Sequence, residues 1–320
     1  MNSNMEIIEH KGKGHPDSMT DSIVESCASF LDKYYVKKYG RVLHYNVDKA
    51  LFLAGNVKVI FGGGEIIKKP CFILGGQISE LSKELELLLI EIIKQTINNI
   101  IPNLINFDIE IRSNNVSKNL SNISENNIVL ANDTSFNVGY YPFSENEKKI
   151  LNIKNKIESI IQKGDIPIGE DFKIMFSPQQ IVVSAPLYAK RINSIEEYKY
   201  YKTKILEELS EFGNVVFNPD SDRGFYYMTL CGSSIECGDD GQVGRGNRYN
   251  GLITPTRPMT IEAYHGKNNR NHTGKLYTKK AFEKAKEVYE KTGNYTEVFL
   301  VSKIGENINN PECYIINKNI

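Results

Sequence analysis

Four stretches of this chain place apolar residues at helical spacing between a start signal and a stop signal, and short β-rich runs lie between them in no regular alternation. The first begins at Pro16, a favoured first-turn residue, carries Ile23, Cys27, Phe30, Leu31 and Tyr34, and stops at Gly40. The second spans residues 79–99. The third opens with Ser144 and Glu147 in capping-box spacing and sets Ile150, Ile153, Ile157 and Ile160 on one side before Gly164. The fourth repeats the device: Ser194 and Glu197 precede a stripe of Ile195, Tyr198, Ile205, Leu209 and Phe212 that Gly213 closes. A fifth helix is predicted over 279–291. Strands are predicted at 57–61, 71–74, 107–111, 174–176, 181–184, 215–217, 225–230 and 298–301. Such irregular interleaving predicts an α+β fold with mixed or antiparallel sheets. Residues 112–127 are rich in Asn and Ser and read as a long polar loop, either a solvated connector or a segment that closes over a site.

At 320 residues the chain is long enough for about two domains or one elaborate one. Its 39 Lys plus Arg balance 39 Asp plus Glu, so no global field draws it to nucleic acid or an anionic membrane, and any anion site must be local. The greasiest stretch, 81–101, is interrupted by Lys83, Glu84, Glu86, Glu91 and Lys94, which makes it an amphipathic helix and not a membrane span. The first residues lack the apolar block of a secretory signal, so a cytoplasmic protein is expected. Cys27, Cys71, Cys231, Cys237 and Cys313 are dispersed and form no CxxC pair, which predicts reduced, mostly buried thiols and neither a disulfide framework nor a zinc site.

The strongest local signal is residues 238–251, GDDGQVGRGNRYNG, followed by HGKNNRNHTGKLY. Five glycines in fourteen residues exclude helix and ordinary strand; they allow a backbone that turns its N–H groups toward a shared anion. Arg245, Arg248, Lys267 and Lys275 could supply positive charge, and Asp239 and Asp240 could hold a hard cation such as magnesium. Together they suggest a polyphosphate clamp. The Walker pattern fails, because Asn247 and Arg248 follow Gly246, and GxGxxG fails because Tyr249 occupies the third glycine's place. A second signal is GHPDS at 14–18. Here Pro16 starts a helix whose positive mouth favours phosphate near His15 and Asp17, with Asp21 one turn on, although acids in a first turn also simply cap a helix. A third is NDTSFNVGYY at 132–141, where Asp133, Ser135 and Phe136 could meet an amine or ribose and a flat ring; as composition alone it reads as a β-turn with a buried Phe. FGGG at 61–64 reads as a turn.

Taken in order, KGKGHPDSMTDSIVES, GRVLHYNVDKALFLAGNVKVIFGGG, LANDTSFNVGYYPFSENEKKIL and GSSIECGDDGQVGRGNRYNGLITPTRPMTIEAYHGKNNRNHTGKLY resemble archaeal-type S-adenosylmethionine synthetase (methionine adenosyltransferase), collinearly over nearly the whole chain. The resemblance implies three similar α+β subdomains with packed sheets, approximately 1–130, 131–230 and 231–320, and a homodimer whose active sites lie between subunits. It implies that methionine sulfur attacks C5′ of ATP and expels the intact triphosphate, which the same site hydrolyses to pyrophosphate and phosphate. It also implies His15, Asp239, Arg245 and Lys267 as catalytic residues. Asp17, Asp133, Ser135, Phe136, Asp240, Arg248 and Lys275 are implied at the substrates, and Asp17 and Asp239 at magnesium. A thioether is nucleophilic without deprotonation, so the absence of a Ser/His/Asp triad is no objection; the leaving group is the difficulty, and fixed cations meet it. Potassium dependence is implied with no residue to assign to it.

The sequence departs from the family around the nucleoside. Where the family has GQGS, this chain reads Asn114, Asn115, Val116, Ser117; HHN becomes His44, Tyr45, Asn46; a GRAT-like strand end becomes Gly76, Gln77, Ile78, Ser79; and the family continues further at both ends. Two readings follow: a working, shortened synthetase, or a noncatalytic relative that binds nucleotide as a regulatory or assembly subunit. On the first, Lys267→Ala is expected to abolish turnover with little loss of folding.

Overall fold

The computed structural model describes residues 5–116 and 129–318. Its architecture is α+β, with five α-helices among the described residues packed on small mixed sheets. Each of the three larger sheets has its own hydrophobic core.

In the first unit β2 (Tyr45–Leu53) and β5 (Cys71–Ile78) are antiparallel, flanked by β14 (Gly241–Gln242) on one side and by β6 (Asp108–Ile111), parallel to β5, on the other. β7 (Asn114–Asn115) continues along β5. Helices α1 (Pro16–Tyr39) and α2 (Lys83–Ile100) cover one face, burying Met19, Ile23, Leu31, Leu89 and Ile93 against Phe52 and Phe72. In the second, β1 (Ile8–Lys11), β9 (Lys173–Phe176), β10 (Ile181–Ser184) and β12 (Val215–Phe217) lie in that order beneath α3 (Glu145–Lys163) and α4 (Ile195–Glu208). Ile150, Ile153, Ile157 and Ile160 of α3 enter this core, as their spacing predicts, and the Ser144–Glu147 capping box forms in both directions. In the third, α5 (Thr273–Thr292) packs on the order β16 (Glu312–Lys318), β15 (Tyr295–Val301), β8 (Phe136–Tyr141). Gly139 lets α5 lie directly on β8, since a Cβ there would collide with the backbone of Ala281 and Phe282. Two short pairs complete the fold, β3 (Asn56–Ile60) with β4 (Gly63–Lys68), turning at Gly62, and β11 (Leu187–Tyr188) with β13 (Met228–Thr229).

The chain weaves among these units. β1 precedes α1 yet sits in the sheet of residues 173–217, and β14 comes from the glycine-rich segment yet extends the sheet of β2. These two crossings bring the N-terminal GHPDS and the glycine-rich segment together.

Four expectations are corrected. Residues 132–141 do not make a turn with a buried Phe: Phe136 opens β8 and is 46% exposed, because the residues after it, not the ring itself, face α5. The run 225–230 is strand only at Met228–Thr229. Of the cysteines, all free, only Cys27 and Cys231 are buried; Cys237 and Cys313 are exposed. The fifth helix begins earlier than its apolar period indicates, at Thr273. Within the polar 112–127 segment Asn114 and Asn115 pair with β5, while Ser117 and the rest of the loop lie outside the described residues. No described helix is long and apolar enough to cross a membrane.

Candidate active site

Helix α1 opens on a histidine. His15 has extended backbone and caps the helix, its Nδ1 accepting the Asp17 N–H at 3.2 Å, and Pro16 at the first position has no N–H to leave unpaired. With Nδ1 an acceptor, the ring proton belongs on Nε2, which lies 3.6 Å from Asp239 Oδ2. Burial, and then the Lys11 charge, push the His15 pKa down to about 4, so the ring is a neutral N–H donor at pH 7.

The two acids behind it grip the glycine-rich loop. Asp17 accepts the Gln242 N–H at 2.9 Å and the Lys11 ammonium at 2.8 Å; Asp21, one turn on, accepts the Gly244 N–H at 2.8 Å. Gly246 passes so close to Asp21 that a side chain would strike its carboxylate. Lys11 also donates to the Arg245 carbonyl at 2.8 Å and exchanges backbone hydrogen bonds with the Asn247 side chain. Arg248 braces the loop from inside, donating to the carbonyls of Gly244 and Gly246. The loop is therefore held from helix and strand together. Arg245 is exposed, and among the described residues its guanidinium has no ion-pair partner.

The structure adds members to this group that no motif announced. Asp171 is buried, and its Oδ2 accepts from the Ser234 N–H at 2.8 Å, the Ser234 hydroxyl at 2.6 Å and Tyr227 at 3.3 Å. Burial, with the charge of Asp239, raises it to about 6. Lys173 of β9 pairs with Glu9 at 3.2 Å, and its field helps depress His15. The signal available in sequence was GEDFK, three charges entering a predicted strand. Asp239 itself is half-exposed and raised above the ordinary aspartate value by burial and then by Asp17. A carboxylate destabilised by another beside it favours a cation, and magnesium is commonly held by one or two carboxylates plus substrate phosphates. The donors present thus fit magnesium at Asp239. Both oxygens of Asp17 already accept hydrogen bonds, and no three-residue metal cage occurs among the described residues. Asp240 accepts the Ala54 N–H at 2.7 Å, tying the loop to the end of β2.

A second group lines a cleft of about 430 Å³ on the loop's other flank: Asp48, Ser135, Phe136, Glu262 and Lys267, with Gln242, Val243 and Gly244 of the loop as one wall. Buried Lys267 sits between two carboxylates, 2.6 Å from Asp48 and 2.8 Å from Glu262. Burial disfavours its charge, but Asp48 and Glu262 outweigh that and raise its pKa. Lys275, predicted for the clamp, is buried and bonded to Glu25 at 2.6 Å and to the Lys267 carbonyl at 3.2 Å. Asp133 is near the cleft in sequence but its carboxylate accepts the neighbouring Thr134 N–H, while its carbonyl accepts from Ser302. His15 and Asp239 do not line this cleft. The loop separates the two groups.

Known proteins are similar to this chain along its length. The family model for S-adenosylmethionine synthetase (AdoMet synthetase) matches residues 1–319. The chain is 35% identical to the S-adenosylmethionine synthase of Methanothrix thermoacetophila, over 96% of this chain and 83% of that one. It is 37% identical to the S-adenosylmethionine synthase of Pyrococcus furiosus, with the same coverage. The solved structure of an unusual S-adenosylmethionine synthetase from Campylobacter jejuni has the same fold, with a TM-score of 0.67 at 16% identity over 98% of this chain and 80% of that one. A match along the whole chain, with archaeal relatives well above chance identity, establishes that the chain belongs to the S-adenosylmethionine synthetase family.

Proposed function

We propose that this chain, a methionine adenosyltransferase by family, makes S-adenosylmethionine by attack of methionine sulfur on C5′ of ATP, with the helix mouth and the glycine-rich loop receiving the departing triphosphate. The observation that carries the reading is the clasp of Asp17 and Asp21 on the Gln242 and Gly244 amides. It fixes the loop at the mouth of α1 and leaves Arg245 free to meet anionic oxygen. In the displacement a lone pair on sulfur forms the S–C5′ bond as the C5′–O bond breaks, and the electron pair leaves with the triphosphate; no proton moves. What lowers the barrier is charge stabilisation at the leaving oxygens, for which preorganised donors are worth most in a water-poor site.

His15 suits this as a neutral donor: its Nε2–H is aimed at the mouth, and its low pKa keeps it from competing as a cation with magnesium. Magnesium at Asp239 would neutralise charge on the polyphosphate, which then undergoes hydrolysis to pyrophosphate and phosphate. On the far side of the loop, Phe136 offers an exposed aromatic face for the adenine ring, with Ser135 and Lys267 beside it. We place the methionine nearby but assign it no residue.

The two groups support shared sites in a homodimer, in which His15 and Asp239 of one protomer work with Lys267 and Phe136 of its partner. A row of outward apolar residues on β2, Leu51 and Leu53, supports such an association. The experiment is direct: purified protein with ATP, methionine, magnesium and potassium should yield the sulfonium product and inorganic phosphate. Binding of ATP without either product would instead identify a noncatalytic relative.

A further inference from the structure

The last described strand has no cover. Every residue of β16 is exposed, on both faces, and it pairs on one side only, with β15. Its centre is apolar: Tyr314, Ile315 and Ile316 are 56%, 45% and 42% exposed. An open edge of this kind is a template for another strand, and proteins ordinarily blunt one with proline, a bulge or an inward charge. The sequence ECYIINK has none of these at its centre, and its two charges stand at opposite ends.

That placement selects the partner. If β16 meets β16 of a second copy antiparallel about a twofold axis at Ile315, Glu312 lies opposite Lys318 of the other chain, Cys313 opposite Asn317, and Tyr314 opposite Ile316. Parallel in-register pairing would instead oppose Glu312 to Glu312 and Lys318 to Lys318, and like charges directly opposite destabilise a sheet. Within each protomer Glu312 already pairs with Lys303 at 2.7 Å and Lys318 with Glu297 at 3.0 Å, so the antiparallel arrangement closes an alternating four-charge cluster at each end of the seam. We propose that β16 is a self-association edge that joins two copies of this chain into one continuous sheet, β8-β15-β16-β16-β15-β8. The interface is separate from the outward face of β2, so the two do not compete for the same surface.

The native Cys313 supplies the test. In antiparallel pairs directly opposed residues have Cα atoms about 4.5–5.5 Å apart, within the span of a disulfide. Asn317→Cys should therefore form a disulfide-linked dimer under mild oxidation, seen on a non-reducing gel. Wild type, whose two Cys313 residues stand four residues out of register, should remain unlinked, as should Asn317→Cys carrying Cys313→Ser. Ile315→Lys, which sets two like charges on the axis, should lower the solution mass by light scattering while leaving the circular dichroism spectrum unchanged. No link in Asn317→Cys, equal linking in wild type, linking that persists without Cys313, or an unchanged mass for Ile315→Lys would each overturn the proposal. Because none of these readouts uses turnover, their failure is distinct from failure of the proposed reaction.

Discussion

Lys267→Ala removes the buried cation between Asp48 and Glu262, and the structure changes what that substitution should do. The side chains of Lys267 and Asp48 are 4% and 2% exposed. After truncation Asp48 keeps one cationic partner, Lys49 at 2.8 Å, whose side chain is largely in solvent. Removing one partner of a buried pair costs about 3–5 kcal/mol, against a total stability of about 5–15 kcal/mol. That is about two to four decades in the folding equilibrium. The sequence-based expectation of intact folding therefore gives way to a lost fraction of folded protein as well as lost turnover. The pH dependence separates this cause from simple loss of packing. Burial alone would raise the Asp48 carboxyl, but the Lys267 charge and hydrogen bond outweigh it and hold it below the ordinary value. Its stabilising contribution is thus present above the unfolded value of about 3.9 and is lost as pH falls through the folded one. In Lys267→Ala burial is opposed only by the solvent-exposed Lys49, so the stability gap to wild type should be full at pH 7.5 and narrow below about pH 5 as Asp48 protonates. Urea unfolding at both pH values measures it. Replacing both charges, Lys267→Met with Asp48→Asn, should restore part of the lost stability. Equal midpoints at pH 7.5, or a gap that widens in acid, would refute the reasoning.

Asp21→Ala should lower kcat/KM by about 10- to 150-fold, the value of about 1.5–3 kcal/mol for a hydrogen bond to a charged group, because Gly244 loses its anchor; Asp21→Asn, which keeps an acceptor oxygen, should recover most of it, and wild-type kinetics for the Ala variant would contradict the clasp. The His15 imidazole should remain neutral by NMR titration down to about pH 4. Because that value is depressed from 6.5, its contribution to stability is present above pH 6.5 and is lost as pH falls to about 4; a midpoint above 6 would be contrary. Mixing Asp239→Asn with Lys267→Met, each inactive alone, should restore roughly a quarter of wild-type activity if sites are shared across a twofold dimer, since half the dimers would then carry one intact site. No recovery would place each site within one protomer.

Helices were the most legible part of the sequence, since their caps and stripes are local: Pro16 with Gly40, the Ser144–Glu147 box, and Ser194 each act where they stand. Strands such as β1, β8 and β16 were not legible, because β1 and β8 owe their place to partners about 160 residues away and β16 is an exposed edge paired on one side only, with no alternation of buried residues to mark it. At the site, glycine density marked the loop correctly, and Asp21 was placed on the same face as Asp17. What the sequence could not reveal was division of labour. Lys267 and Lys275 look alike as charges in HGKNNRNHTGK, yet one lines the cleft and the other is consumed by Glu25, a pairing across 250 residues. Asp171 carries no motif; its raised pKa comes from burial that outweighs the opposing hydrogen bonds of Ser234 and Tyr227, and only the folded chain supplies either.

The most direct test is a crystal structure with methionine, magnesium and an ATP analogue whose C5′–O bond cannot break. The account predicts the polyphosphate against the backbone of residues 241–246, with magnesium at Asp239, His15 Nε2 within hydrogen-bond distance of a phosphate-side oxygen and Arg245 on its outer face. A polyphosphate bound away from that loop, with His15 and Arg245 untouched, would contradict it.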